Sequence, residues 1–135
     1  MLTKATDLSI TLEDRPGTLA KATDAVAKAG ANIDGFCGSA DGGSTFHFLF
    51  TKDGDKARKA LESAGFTVKK EREVVLTEPI EDRPGAAAAE FRKIAQHELN
   101  VDLAYLATDN RIVMGGDNVQ KIWESLGAES TKITA

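Results

Sequence analysis

The sequence predicts an α+β protein built from two copies of one small unit, and three observations carry that expectation. Residues 12–17, LEDRPG, recur as residues 80–85, IEDRPG, an offset of 68 that also carries Asn32-Ile33-Asp34 onto Asn100-Val101-Asp102. A second block, Asp55 to Gly65, recurs as Asp117 to Gly127 at an offset of 62. Within each copy, two-residue alternation gives way to helical spacing and back, in the order β-α-β-β-α-β. The drop from 68 to 62 means that the second copy is about six residues shorter between the blocks, where the first has a glycine-rich turn.

The elements of the first copy follow in order. Leu8, Ile10 and Leu12 alternate with Asp7, Ser9 and Thr11, which predicts a strand with one buried face. Asp14-Arg15-Pro16-Gly17 ends it, the proline set for a turn or for the first helical position. Leu19, Ala22, Val26 and Ala29 recur at helical spacing, and Gly30 stops the helix. Ile33 to Cys37 is the next strand, Asp41-Gly42-Gly43 a hairpin turn, and Phe46, Phe48 and Phe50 one face of the strand after it. Asp53 to Ala64 is an amphipathic helix with Ala57, Ala60, Leu61 and Ala64 inward, and Phe66 to Val68 opens the last strand.

The second copy repeats the pattern. Val74 to Ile80 is a strand and Ala86 to Glu98 a helix carrying Phe91, Ile94 and Ala95. Val101 to Leu106 and Arg111 to Met114 form a hairpin around Asp109-Asn110, Asn118 to Leu126 is a helix, and a weak strand around Ile133 closes the chain. The junction, Lys69 to Glu73, is a charge cluster without proline or glycine, so strand is expected to run almost directly into strand. The expected domains are residues 1–70 and 71–135. Right-handed crossovers fold each as a ferredoxin-like sandwich, an antiparallel sheet with both helices on one face. The strand after the first helix then lies at a sheet edge, and pairing of the two edges would make one eight-stranded sheet.

Composition sets outer limits. With 17 Lys and Arg against 21 Asp and Glu, the net charge of −4 argues against nucleic acid as a partner. At 41% hydrophobic and 28% charged residues, the chain has the makeup of a soluble globular protein. There is no signal-peptide stretch and no run of roughly 18 apolar residues, so the expectation is a cytoplasmic protein without membrane contact. The single cysteine, Cys37, excludes an internal disulfide and a cysteine-rich metal site.

The two DRPG turns are the features placed identically twice. The helix that each opens leaves its first N–H groups without intrahelical partners, and its dipole favours an anion. Gly17 and Gly85 have no Cβ to block an approaching carboxylate, and Asp14 and Asp82 could accept hydrogen bonds from an ammonium group. A zwitterionic α-amino acid suits both features; a structural turn with an aspartate cap and a helix-initiating proline is the commoner explanation of a single DRPG, and duplication copies structural turns as well. Asn32 and Asn100 recur just after a helix, either as plain turn residues or, with the edges paired, as ligand contacts offering donor and acceptor. Arg15 and Arg83 either hold an acidic ligand or are solvated. His47, in a phenylalanine-rich strand, and His97, on a helix's polar side, lack a second ligand at metal spacing. Cys37, Trp123 and Met114 are assigned to the interior, Gly35 and Gly38 to a bulge or a close backbone approach. No phosphate loop, dinucleotide fingerprint or Ser/His/Asp set is legible, so no catalytic residue, metal or cofactor is expected.

The succession strand–DRPG–Thr18-Leu19–helix–Ala31-Asn32-Ile33-Asp34–hairpin–helix–strand resembles the ACT domain, a small ligand-binding regulatory unit attached to enzymes of amino-acid metabolism. Here the resemblance covers nearly the whole chain, twice. It implies a non-catalytic, allosteric protein that binds an amino acid where two domains meet side by side. It further implies a homodimer and a metabolic enzyme or regulatory protein as partner. By matching position, it implies ligand contacts from Asp14, Arg15, Pro16, Gly17, Thr18 and Leu19 with Asn100 and Val101. Asp82, Arg83, Gly85 and Ala86 would act likewise with Asn32 and Ile33. The second copy departs from the family pattern in having Ala87 where leucine is usual, and a shortened hairpin, so the Asp14 site is expected to be the occupied one. One alternative is a subunit docking on an enzyme, like the small subunits of acetohydroxyacid synthase, although their extra carboxyl-terminal domain is missing. Another is an acylphosphatase-like hydrolase using Arg15 and Asn32, which the scarcity of glycine in the loop disfavours.

Overall fold

The computed structural model describes residues 2–40 and 44–134; the Asp41-Gly42-Gly43 turn lies outside them. It is an α+β fold, with six strands and four helices among the described residues. The strands are β1 (Thr3–Thr11), β2 (Gly35–Ser39), β3 (Thr45–Phe50), β4 (Thr67–Leu76), β5 (Leu103–Ala107) and β6 (Arg111–Gly115). The helices are α1 (Thr18–Lys28), α2 (Gly54–Ser63), α3 (Ala86–Gln96) and α4 (Val119–Thr134). The chain divides into two compact units, Ala5–Arg72 and Met1–Lys4 with Glu73–Ala135, so it passes from one to the other inside β1 and again inside β4.

In the Ala5–Arg72 unit, β3 is antiparallel to both neighbours, with Leu8 opposite Phe48 on β1 and Phe36 opposite Phe48 on β2. Helices α1 and α2 pack together. Leu8, Ile10, Leu12, Phe48 and Phe50 meet Ala22 and Val26 of α1 and Ala57 and Leu61 of α2 in one core. Burying each phenylalanine contributes about 1.5–3 kcal/mol, which makes this strand-to-helix layer the main stabilising contact of the unit. Ala60 and Ala64, expected inward, are half-buried, and Leu19 stays 36% exposed at the start of α1.

In the other unit, β6 is antiparallel to β5 and β4, with Tyr105 and Leu76 both opposite Val113. Its core joins Val75, Ile112 and Met114 to Ile94 of α3 and to Ile122 and Leu126 of α4. Arg111 donates from Nε to the Thr77 carbonyl at 2.7 Å and from a terminal nitrogen to Thr3 Oγ1 at 3.2 Å. Lys4 lies over the Trp123 ring, 5.4 Å from its centre.

Three expectations change. Phe66–Val68 and Val74–Ile80 are not separate strands: β4 runs unbroken through the charged junction, because Lys69 to Glu73 contains nothing that stops an extended chain. The strand expected around Ile133 is absent, since α4 continues to Thr134; Gly65, left-handed at φ 93, ends α2, whereas Gly127 is carried inside α4. A helix tolerates an isolated glycine at a cost of about 1 kcal/mol when nothing beyond it breaks the run. These two changes turn eight expected strands into six. The third concerns β1, where Asp7 and Ser9 are buried together with Leu8 and Ile10 rather than facing water.

Candidate functional site

The two DRPG segments build nearly the same turn. Beyond β1 the Arg15 N–H donates to the Glu13 carbonyl at 2.9 Å, and the Arg15 guanidinium donates from Nε to Glu13 Oε2 at 2.6 Å. Beyond β4, Arg83 donates from Nε to Glu81 Oε2 at 2.7 Å. Gly17 and Gly85 are left-handed, at φ 88 and φ 91, and each immediately precedes its helix. That conformation is why glycine stands there, because an L side chain pays a steric cost in it. Each proline is therefore a turn residue, not the first residue of the helix. Thr18 tightens the first turn by donating from Oγ1 to the Arg15 carbonyl at 2.9 Å. The second has alanine at that position and keeps only the backbone bond from Ala86 N to the Arg83 carbonyl, 3.2 Å.

Helical bonding starts at once, from Lys21 N to the Gly17 carbonyl and from Ala89 N to the Gly85 carbonyl, and no side chain caps either helix start. Asp14 and Asp82 are exposed and make no hydrogen bond or ion pair among the described residues. Each turn thus offers N–H donors at a helix start near an uncommitted carboxylate.

What stands beside the turns differs. Asp14, Arg15, Thr18 and Leu19 line a depression of about 120 Å³ that also touches Ser44 and Phe46. Asp82, Arg83 and Ala86 line a cavity of about 410 Å³ that reaches Phe91 of α3, Tyr105 and Leu106 of β5, and Asn110. The sequence reading missed its lining beyond the turn. The signals were Ala87 in place of Leu19, and Phe91 one helical turn after Ala87. Asn110 shapes the rim: it and Asp109 are left-handed, at φ 56 and 62, and its Nδ2 donates to the Ile80 carbonyl at 2.6 Å. Arg15, Pro16, Gly17 and Thr18 also line a groove of about 530 Å³ at the first turn, with Glu13, Lys21 and Phe66.

The asparagines stand apart from these spaces. Asn32 and Ile33 lie in the loop before β2, where Asn32 donates from Nδ2 to Asp34 Oδ1 at 2.9 Å and Ile33 packs on the core. Asp34 in turn accepts from Thr51 N and Thr51 Oγ1, at 2.8 and 2.9 Å. Asn100 and Val101 precede β5; Asn100 is exposed and Val101 packs on the core. Gly116 has no room for a side chain, because a Cβ there would come within 2.4 Å of the Asn100 carbonyl oxygen. Neither asparagine lines the depression or the cavity beside its own unit's turn.

Strand register assembles a polar cluster that the sequence did not disclose. His47 stands opposite Ser9 on β1 and opposite Cys37 on β2. Its Nδ1 lies 3.0 Å from Oδ2 of the fully buried Asp7 and 3.3 Å from Ser9 Oγ. A nucleophile relay needs acid and hydroxyl on opposite imidazole nitrogens. Here both approach Nδ1, so the trio is a buried polar anchor and not a catalytic set. Burial, and secondarily the nearby Asp7, pushes the Cys37 thiol pKa up, which disfavours the reactive thiolate. Among the described residues no group of three or more His, Cys, Asp or Glu is placed to hold a metal ion, and no helix is long and apolar enough to cross a membrane.

A comparison with curated proteins finds no match. Among solved structures, a protein of Bacteroides thetaiotaomicron is 26% identical with a TM-score of 0.81, covering 96% of this chain and 90% of that one. The regulatory subunit of aspartate kinase from Thermus flavus is 20% identical with a TM-score of 0.65, covering 95% and 93%. That from Thermus thermophilus, in its ligand-free form, is 20% identical with a TM-score of 0.63, covering 95% and 94%. At those identities the two kinase subunits establish similarity of fold. The sequence model of the ACT domain matches residues 6–66, a span from β1 through α2.

Proposed function

We propose that the chain is a non-catalytic regulatory protein of the cytoplasm that binds an α-amino acid. It would carry two ACT-like, ferredoxin-like units in tandem, with ligand held where two such units meet side by side. The observation that carries this reading is the twice-built turn, with its left-handed glycine, uncapped helix start and uncommitted aspartate. In it the ligand carboxylate takes the N–H groups behind Gly17 or Gly85, and Asp14 or Asp82 takes the ammonium group. Asn100 and Asn32, with Val101 and Ile33, would complete the contacts in the pairing that the family resemblance implies.

A thermal-shift screen of the full chain against the common amino acids tests this reading. A ligand that binds only the folded state at a hundred times its Kd adds about 2.7 kcal/mol of stability. At least one amino acid should raise Tm, and the double variant Asp14→Ala, Asp82→Ala should lose the response. No response from any amino acid would defeat the proposal.

A second reading, which does not exclude the first, is a regulatory subunit that docks on a catalytic chain, and that assembles as a homodimer. It draws support from the aspartate kinase regulatory subunits, which match this chain over more than nine-tenths of their length. They favour a kinase of amino-acid biosynthesis over acetohydroxyacid synthase as the docking partner. Co-purification of the tagged chain with such a catalytic chain supports this reading; a chain that elutes alone counts against it.

A further inference from the structure

We infer that the amino acid taken at the second turn carries a large apolar side chain, and that Ala87 is the residue that makes room for it. The inference rests on the amino-acid-binding reading above and deepens it. Small-molecule sites generally run from about 300 to 1,000 Å³, with mostly apolar walls and a few convergent polar groups. The cavity beside Asp82, at about 410 Å³, falls inside that range. At the first turn the depression beside Asp14, at about 120 Å³, falls below it, and the groove of about 530 Å³ beside Gly17 falls inside it but carries the charged Glu13, Arg15 and Lys21 on its walls.

The walls divide by chemistry. Asp82, Arg83 and Asn110 stand at the turn and the hairpin, while Ile80, Ala87, Phe91 and Leu106 supply an apolar surface. Leu106 is 57% exposed, so a ligand's apolar group lying against it would take apolar surface out of water. The first turn shows what closes such a space. Leu19, at the position matching Ala87, lines the smaller depression together with Phe46. Removing the three outer carbons of a leucine at the first turn of the helix leaves volume next to the place where a ligand's α-carbon would be held. A ligand with its charged groups at the turn therefore directs its side chain along α3 toward Phe91 and Leu106.

Two charge features set the selectivity. Arg83 is already paired with Glu81, so the mouth of the cavity presents no uncommitted cation to an acidic side chain. Glu81, the other carboxylate of the lining, is taken by Arg83 at the turn, so a lysine ammonium group directed along α3 meets only apolar walls, and desolvating a charge without a partner is costly. The class is thus branched aliphatic or aromatic.

Titration calorimetry of the full chain against alanine, leucine, phenylalanine, aspartate and lysine tests the assignment. Each additional buried CH2 is worth roughly fourfold in affinity, so leucine should bind on the order of 50-fold more tightly than alanine. Phenylalanine should match or exceed leucine, and aspartate and lysine should bind no better than alanine. Ala87→Leu, which restores the side chain found at the first turn, should bring the leucine-to-alanine ratio close to one. Position 87 is exposed on a helix that leucine favours, so the variant is expected to fold, and its circular dichroism spectrum checks that it has. Alanine or a charged amino acid binding as tightly as leucine overturns the inference and leaves the broader reading standing. So does a ratio that Ala87→Leu fails to change. Silence toward all five amino acids overturns the inference, and the broader reading falls with it only when the thermal-shift screen of the common amino acids is silent as well.

Discussion

Gly17 and Gly85 adopt almost the same backbone, φ 88 and 91, and Arg15 and Arg83 each fold back on the glutamate two residues earlier. Behind the first turn stand Leu19 and Phe46; behind the second, Ala87 and the wall formed by Phe91 and Leu106. One four-residue motif thus yields one turn and two different surroundings. The turn is local chemistry: proline restricts one residue, glycine permits the left-handed one, and a glutamate lies within reach of the arginine. The cavity is tertiary chemistry, set by side-chain volume on a neighbouring helix and hairpin. Matching motifs therefore establish equal backbones and leave equal binding undecided.

The largest effects should come from the seats of the two helices that begin at these turns. Val26 of α1 and Ile94 of α3 match at the offset of 68, and they are 0% and 1% exposed. Ile94→Ala should cost about 2–5 kcal/mol in urea unfolding, from lost burial plus the cavity it leaves. Val26→Ala removes one carbon fewer and should cost less. A reversed order would mean that α1, not α3, is the more tightly seated helix, and the comparison of the two turns would have to start from that.

The next effect isolates the turn from its surroundings. A Cβ placed on Gly17 or on Gly85 meets nothing within 4 Å, so an alanine there adds backbone strain alone. Gly17→Ala and Gly85→Ala should each cost about 1–2 kcal/mol, and by the same amount within error. Unequal costs in denaturant titrations would break the claim that the two backbones are equivalent.

What was legible in the sequence divides along the same line. The elements from β1 through α2 could be read because their periodicities are local and their stops are explicit, Gly30 and Gly65 among them. The end of the chain was not, since Gly127 resembles Gly65 in sequence and differs in conformation. Asp7 was assigned to water because its neighbours alternate, yet it is fully buried against His47, a partner 40 residues away that only strand register brings close. The turn residues of the candidate site were legible as a repeated motif. Its apolar wall was not, because Ala87 carries only a methyl group where Leu19 stands in the first copy, and Phe91, Tyr105 and Leu106 come together only in the fold.

The smallest expected effect concerns α2 and α4, whose starts also match in sequence and are stabilised differently. At α4, Asn118 Oδ1 accepts the Lys121 N–H at 3.0 Å, a cap with no charge to lose. At α2, the Arg58 hydrogen bond to Asp55 comes first, and Lys59, at 3.2 Å, second, in holding the Asp55 carboxyl below the usual carboxylate range. A carboxyl more acidic in the folded chain than in the unfolded one stabilises the fold above its unfolded pKa, about 3.9. That contribution is lost as pH falls through the lower, folded value. Acid should therefore loosen the start of α2 before that of α4. Because Asp55 is solvent-facing, the change should be small and should shrink further in 1 M salt, where the screening length is about 3 Å. Stability measured between neutral pH and pH 3 should fall slightly less steeply in Asp55→Asn than in the parent chain. An unchanged acid limb would mean that the Arg58 and Lys59 pairing contributes nothing, leaving Arg58 to its other partners, Glu62 at 3.0 Å and Glu71 at 3.3 Å.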